Sequence, residues 1–411
     1  MLATLLLATS AEAKGKRRRE KRVKITDLRT AVVAGNFDWI YVRIDTDEGL
    51  SGLGEAYWGA GVEPVIRELK PFLVGEDPSN IDWLFNKLLR YISGAGSQAG
   101  TVVTAIGGIE VALWDLAGKA LGVPIYRLLG GRYRDRVRVY ADCGQGDEPT
   151  PESWAERART ALAGGFTAIK FDIDNVDPER FGREPSVGLA APWARSHRRP
   201  LASAELDRIV ELMDAVREAV GPHVDLALDC HWNYSVSDAI RLAEALEPFD
   251  LAWLEDPVPP ENWEAMSRVT DAAPMPICTG ENLYTRHGMR DLIVNQACDI
   301  IQPDIPKTGG ILEARRIADL ADLYFMHVAA HNVSSPIATM AAAHACASMR
   351  NFTVLEFHAM DVPWWDDLVE EPGPLIQDGY LALSEAPGIG LTLNEEVARS
   401  HLREGSTYFG A

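Results

Sequence analysis

The spacing of apolar positions changes character twice in the first third of the chain. Segments 25–34 and 39–45 are dense in β-branched and aromatic side chains (the second reads Trp39-Ile40-Tyr41-Val42-Arg43-Ile44), which predicts strands. Asp47-Glu48-Gly49 reads as a turn between strands, and Gly52-Leu53-Gly54-Glu55 follows it, so the segment predicts an antiparallel meander. From residue 62 the period lengthens to that of helices. Residues 62–75 and 79–92 are amphipathic, whereas 101–121 is apolar on most faces and predicts a buried helix. Together these segments predict an α+β unit over residues 25–137.

From residue 138 short apolar runs alternate with helical patterns, the signature of βαβ units and a parallel sheet. The candidate strands are Val137–Asp142, Ala168–Asp172, Val224–Asp229, Leu251–Glu255, Ile277–Glu281, Ile300–Asp304, Phe325–His331 and Val354–Phe357. Glu205–Val220 shows the intervening type of helix, with Ile209, Leu212, Met213, Val216 and Val220 on one face. Eight strands with seven helices between them predict an α/β fold, a modified TIM barrel of the (β/α)7β kind, over residues 138–385. Residues 386–411, opening on Pro387-Gly388-Ile389-Gly390, are expected to return to the small domain. Residues 173–203 interrupt the rhythm with four prolines, an Arg/His-rich patch and no clear period. They follow a strand end, where barrels place active-site loops, so they read as a pocket loop or as a plain surface excursion.

Composition narrows the class. The 411 residues are 47% hydrophobic, enough for a large core, and no stretch approaches 18 consecutive apolar residues, so no membrane span is expected. A net charge of −20 argues against nucleic-acid binding, but it does not exclude a small anionic substrate in a locally different pocket. Five dispersed cysteines without metal spacing read as reduced core thiols. Residues 1–24 hold a short apolar run followed, not preceded, by a basic cluster, which is the wrong order for an export signal. They read as a mis-called start or a disordered tail, with a truncated secretion signal as the lesser alternative, and the protein as cytoplasmic.

The chemistry lies in a second period. Asp229, Glu255, Glu281, Asp304, His331 and Glu356 fall 26, 26, 23, 27 and 25 residues apart, each at or just past an apolar run. With one βα unit per interval, the six side chains reach adjacent strand tips at the mouth of the barrel. A single acid there is ordinarily a helix cap or a solvated loop residue, but six in register are hard to assign to capping. Three converging carboxylates would repel one another unless a cation neutralised them, and oxygen ligands from consecutive strands suit Mg²⁺. His231, two residues past Asp229, is expected on the same strand face, one step further out, as an acid/base group. Asp304 beside His331 would fix its tautomer and make it a general base. Lys170 and Asp172, also two apart, share a face, and Lys170 reads as a base or as an electrostatic partner. Abstraction of a proton next to a carboxylate needs a cation, a base on one side and an acid for any leaving group, and this chain offers all three.

These residues resemble the mandelate racemase subgroup of the enolase superfamily. The resemblance covers the chain from residue 25 onward. It includes AIGGIEVALWDLAGKALGVPIYRLLGG at 105–131, LDCHW at 228–232, WLEDP at 253–257, TGEN at 279–282, QPDIPKTGG at 302–310, AHNVSSPI at 330–337 and LEFH at 355–358. It implies a capping domain on a modified TIM barrel, with Asp229, Glu255 and Glu281 as Mg²⁺ ligands, His331 and Asp304 as a dyad, and Glu356 assisting the enolate. His231 in LDCHW is similar to the acid of galactonate- and gluconate-type acid-sugar dehydratases, which removes the 3-OH. Some relatives read Lys-x-Lys on the second strand, and here Asp172 stands in place of the second lysine, which favours dehydration over lysine-based racemisation. The resemblance also implies capping-domain loops facing the pocket, Asn36-Phe37-Asp38-Trp39 and Tyr57-Trp58-Gly59, with Asn36, Trp39 and Trp58 as candidate substrate contacts beside Asp172, Asn282 and His358. Trp364 and Trp365 follow the last strand and read as lid or core packing. The expected partner is a sugar acid, and the expected assembly a homo-oligomer. A racemase or epimerase of a 2-hydroxy acid is the alternative, and a non-catalytic metal-binding barrel a remoter one.

Overall fold

The computed structural model describes residues 23–93, 98–144, 146, 148–173, 176 and 200–410. The expectations for residues 1–22 and for most of the 173–203 insertion fall outside these residues.

β1 (Ile25–Ala34), β2 (Asp38–Thr46) and β3 (Ser51–Ala56) form an antiparallel sheet in that order. Three helices cover it: α1 (Val62–Leu73), α2 (Ile81–Ser93) and α3 (Gly100–Leu121). The glycines of β3 are where α3 docks. A Cβ on Gly54 would stand 2.5 Å from Ala112 N and Gly108 O, and one on Gly52 would stand 2.1 Å from Ala112 O. Only a glycine edge lets helix backbone lie this close to strand backbone. α3 is long and apolar enough to cross a membrane by composition, but 72% of its most apolar stretch is buried inside the protein, so it serves as a core helix.

The barrel strands are β4 (Arg136–Asp142), β5 (Ala168–Asp172), β6 (Asp225–Asp229), β7 (Trp253–Glu255), β8 (Ile277–Thr279), β9 (Ile300–Ile301), β10 (His327–Ala330) and β11 (Phe352–Phe357). They pair in sequence order, all parallel, and β11 closes on β4 with Glu356 opposite Tyr140. Among the described residues an α-helix follows each of the first seven strands, from Pro151–Ala163 to Pro336–Ala347, and after β9 a short helix, Ile305–Thr308, precedes the longer Ile311–Asp322. After β11 the chain adds a hairpin, β12 (Ile376–Gln377) and β13 (Tyr380–Ala382), whose second strand runs antiparallel to β4. The C-terminal segment then bonds to the capping sheet: Leu402 bridges Val33, and Arg403 N donates to Val32 O.

Some strand limits differ from expectation. β8, β9 and β10 end before Glu281, Asp304 and His331, which therefore sit on the loops just beyond the strands. Phe325 lies in a turn at φ 60° and is 89% exposed, so it is not part of a strand. All five cysteines are buried thiols outside any disulfide.

One layer of the barrel interior explains the site. Tyr140, Ala168, Ala227, Trp253, Cys278, Ile300, Ala329 and Val354, one from each strand, form a buried cluster. Two bulky aromatics are offset by three alanines, the mix of large and small side chains with which such a layer is filled. Side chains two residues further along a strand point the same way. In β4, β5, β6, β7 and β11 those positions are Asp142, Lys170, Asp229, Glu255 and Glu356. The polar floor of the site thus follows from the two-residue period above an apolar plug.

Candidate active site

Asp229 and Glu255 are paired in register at the ends of β6 and β7. The third carboxylate arrives differently. Position 280 is a glycine at φ 135°, which breaks the alternation after β8 and leaves Glu281 to fill the place. One oxygen from each of Asp229, Glu255 and Glu281 can be chosen so that all three lie within 4.8 Å of one another, and all three residues are buried. Burial and the neighbouring charges of Asp229 and Glu356 push the Glu255 carboxyl well above its ordinary range. Such crowding of hard oxygen donors fits a divalent cation, which would neutralise the charge that the fold has concentrated there.

Lys170 is 1% exposed. Its Nζ lies 2.7 Å from Glu255, 3.0 Å from Glu356, 3.1 Å from Asp229 and 3.5 Å from Asp142. Burial alone would depress its pKa, but Glu255 and Glu356 hold it well above the usual lysine value. An ammonium group enclosed by four carboxylates keeps its proton, so the geometry favours the electrostatic reading of Lys170 over the base reading.

Beyond β9, Asp304 caps the short helix Ile305–Thr308, accepting from Lys307 N (2.8 Å), and turns its other oxygen to His331 Nδ1 (2.7 Å). It is thus both a cap and half of the expected dyad. His331 Nε2 faces Glu281 at 3.1 Å and Glu356 at 3.8 Å. Burial would lower the imidazole pKa, but Glu281, Glu356 and the Asp304 hydrogen bond carry it up to about 9. Glu281 also accepts from Asn282 Nδ2, and Asn282 Oδ1 accepts from Lys307 Nζ (2.7 Å).

His231 does not continue the face of β6. The strand ends at Asp229, and His231 (φ 42°) and Trp232 (φ 51°) both take left-handed backbone. The turn is held by His231 N donating to Asp229 Oδ1 (2.8 Å) and Trp232 N donating to Asp256 O (2.6 Å). His231 Nε2 comes to 3.7 Å from Asp229 Oδ2. The two imidazoles therefore flank the carboxylate triad, one beside Asp229 and one beside Glu281.

A cavity of about 470 Å³ opens above these groups. Lys170, Asp172, Asp229, His231, Glu281, Asn282, His331, Glu356 and His358 line it, together with Trp58 from the capping domain. Glu255 and Asp304 lie beneath it, each 0% exposed. Two expected substrate contacts are corrected. Trp39 is an inward residue of β2, 2% exposed, with its Nε1 donating to Val333 O (3.2 Å) and its ring edge-on to Trp364. Asn36 does not reach the cavity either, because its side-chain amide donates to His358 O (2.7 Å) and lies 3.3 Å from His358 Nδ1. Phe37 and Tyr57 line the wall in their stead. Trp364 stacks on His401 and Trp365 is buried, so both are packing.

The sequence reading placed Phe37 and Tyr57 on pocket-facing loops without singling them out, and it missed Asp142 and Lys307. Asp142 closes the first barrel strand, 3.7 Å from His358 Nε2, and the charges of His358 and Lys170 override its burial and hold its carboxyl down at about 2. The strand-end rule would have found it, had the count begun at β4 rather than at β6. Lys307 lay in plain view inside QPDIPKTGG, but its sequence position does not show that Nζ reaches over the Tyr57 ring, 4.4 Å from the centroid.

Comparison with known proteins agrees with this geometry. Residues 153–397 match the family described as enolase C-terminal domain-like, and residues 17–130 match the mandelate racemase/muconate lactonizing enzyme N-terminal domain. A D-xylonate dehydratase of Haloferax volcanii is 49% identical, over 94% of this chain and 90% of its own. A D-galactonate dehydratase of Variovorax paradoxus is 33% identical, over 91% and 93%. A solved mandelate racemase/muconate lactonizing enzyme-like protein from Rubrobacter xylanophilus superposes with a TM-score of 0.86 at 44% identity, covering 94% of this chain and 99% of that one. The chain therefore belongs to the enolase superfamily, in the mandelate racemase/muconate lactonizing enzyme family.

Proposed function

We propose that this enzyme is a Mg²⁺-dependent dehydratase of a sugar acid, which takes the C2 proton of an aldonate and eliminates its 3-OH to give a 2-keto-3-deoxy acid. The observation that carries the reading is the pair of imidazoles flanking the carboxylate triad at the floor of one cavity. Dehydration needs one group to take a proton and another to return one, and histidine is suited to both.

Asp229, Glu255 and Glu281 would hold the metal. When bound there, Mg²⁺ would polarise the substrate carboxylate and offset the second negative charge of the enediolate. His331, with Nδ1 fixed by Asp304, presents Nε2 to the C2 proton. The negative charges of Glu281, Glu356 and Asp304 raise its pKa, and a cation held by Glu281 would offset part of that charge and favour the neutral imidazole, whose Nε2 can accept. His231 donates to the departing hydroxyl. Lys170 and Glu356 balance charge beneath the reacting carboxylate, and the polar groups Asp142, Asp172, Asn282, Lys307 and His358 are placed to meet the substrate's hydroxyls. A cavity of this volume is of the size that takes a small sugar acid.

The alternative, racemisation or epimerisation at C2, wants a second base. Lys170 is the weaker candidate because its four carboxylate neighbours hold its proton in place. Relatives named for galactonate, mannonate and gluconate stand at 31–33% identity, and the one named for xylonate at 49%, which supports a five-carbon aldonate as the first substrate to try. Incubation with four-, five- and six-carbon aldonates and Mg²⁺, followed by assay for 2-keto-3-deoxy acids, tests the reading. Inversion at C2 without keto product would replace it with the alternative.

A further inference from the structure

Residues 332–335 join His331 to the helix Pro336–Ala347, and each of the four is gripped. Asn332 N donates to Glu356 Oε2 (3.1 Å). Val333 O accepts from Trp39 Nε1 (3.2 Å), and Ser334 O accepts from Trp365 Nε1 (3.1 Å). Ser335 N (3.0 Å) and Ser335 Oγ (2.5 Å) both donate to Glu55, which also accepts from Ala338 N (3.1 Å). Two of these grips, Trp39 on β2 and Glu55 on β3, come from the capping domain. Neither side chain lines the cavity, so neither is placed to touch substrate.

Glu55 is 1% exposed, and burying a carboxylate is costly unless donors satisfy it. Its three donors are N and Oγ of Ser335, the N-cap of the helix Pro336–Ala347, and Ala338 N in its first turn, where backbone N–H groups have no partner within the helix. The loop carrying the other half of the dyad is treated alike. Glu110 of α3 accepts from Ile311 N (2.7 Å) and Leu312 N (2.9 Å) at the start of the helix Ile311–Asp322. Gly107 of α3 lies so near Pro306 that an added Cβ would come within 1.8 Å of its carbonyl oxygen. Both loops that present the His331–Asp304 pair thus run into helices capped by capping-domain glutamates.

We propose that Glu55, assisted by Trp39, is a positioning residue that fixes the 331–335 loop and so holds His331 Nε2 at the reacting carbon. Docking of the capping domain then sets the aim of the base as well as closing the cavity. This rests on the assignment of His331 as the base.

The test uses Glu55→Gln, which keeps the volume but turns one acceptor into a donor, and Trp39→Phe, which keeps a ring but removes the Nε1 donor. Ile66→Val, in the capping-domain core, is the structural control. The readouts on the full-length enzyme are kcat, KM, Mg²⁺ affinity by calorimetry, Tm and the isotope effect with C2-deuterated aldonate. A misaimed base is expected to cut kcat by roughly 10- to 100-fold. KM should stay within about threefold and Mg²⁺ affinity should hold. The isotope effect should rise as proton transfer becomes limiting, whereas Ile66→Val should lower Tm without moving the isotope effect. Wild-type kcat in either variant, or a loss matched by Ile66→Val at equal Tm, would overturn the proposal. If Glu55→Gln does not fold, Trp39→Phe decides on the same readouts. A fully active His331→Asn would instead remove the base assignment itself, while an inactive His331→Asn beside a fully active Glu55→Gln would overturn the positioning role alone.

Discussion

Lys170 shows most clearly what burial does to a single residue. The sequence left it as base or electrostatic partner, because both roles need only a lysine at that strand position. The four carboxylates within 3.5 Å favour one of them, since a neutral amine would leave that charge uncompensated. Lys170→Met is expected to destabilise the enzyme by about 3–5 kcal/mol, seen as a lowered Tm, because it strips the counter-charge from buried acids. His331→Asn is smaller, but its Nδ2 can stand in for Nδ1 as a donor to Asp304, and it has no basic nitrogen to present. Turnover should be lost while Mg²⁺ binding by calorimetry stays intact, and surviving turnover would disprove the base assignment. Lys307, which the sequence reading missed, reaches the cavity only through the path of its loop, which no local spacing encodes; Phe37 and Tyr57 could be placed on pocket-facing loops only by resemblance.

At the scale of elements, strand alternation was the most legible signal. The two-residue period carries the apolar plug into the polar floor on five strands, and the 23–27-residue period brings the remaining groups around the mouth. It failed where the backbone leaves the strand. Gly280 shifts the phase by one residue, and the left-handed pair His231–Trp232 replaces the straight continuation expected for His231. Trp39 was misplaced for another reason. β2 is buried on both faces over Trp39–Val42, so alternation there cannot tell a pocket-facing side chain from a core one. The glycine contacts between β3 and α3 make a sharper statement. Gly54→Ala would press a methyl group onto backbone atoms of Ala112 and Gly108 at 2.5 Å. It should destabilise the enzyme by about 1–3 kcal/mol in a denaturant titration, and no loss would mean that the strand and helix are less tightly docked than described.

For the whole molecule, fold class was readable because hydrophobic pattern alone separates a meander with helices from repeated βα units. The fastening of one domain to the other was not, since it depends on acids such as Glu55 and Glu110 that look like any surface glutamate in the sequence. Stability of the whole also carries a readable pH signature. His344 is fully buried, its Nε2 donates to Ile389 O (3.0 Å), and burial holds it down at a pKa of about 4. A histidine lowered in the folded state binds its proton more weakly there than in the unfolded chain. Its contribution is therefore present above about pH 6.5 and is lost as the pH falls toward 4, a swing on the order of 3 kcal/mol. Glu55 and Glu110, raised to about 7 by burial, tilt stability the other way between about pH 4.5 and 7. Comparing the wild type with His344→Gln cancels their effect. The stability difference between the two should shrink from pH 6.5 to 4, and a flat difference would contradict the assignment.

Metal removal acts at the same scale. Chelation should abolish turnover without unfolding the protein, and Mg²⁺ at a hundredfold excess over its Kd should restore activity and add about 2.7 kcal/mol of stability. The chemistry itself is tested most directly by proton NMR of D-xylonate incubated with the Mg²⁺-loaded enzyme in deuterium oxide. The expected result is loss of the C2 proton together with formation of a 2-keto-3-deoxy acid carrying deuterium at C3. Recovery of the C2 epimer, deuterated at C2 and without keto acid, or an absence of reaction with this and every other aldonate tried, would contradict the account.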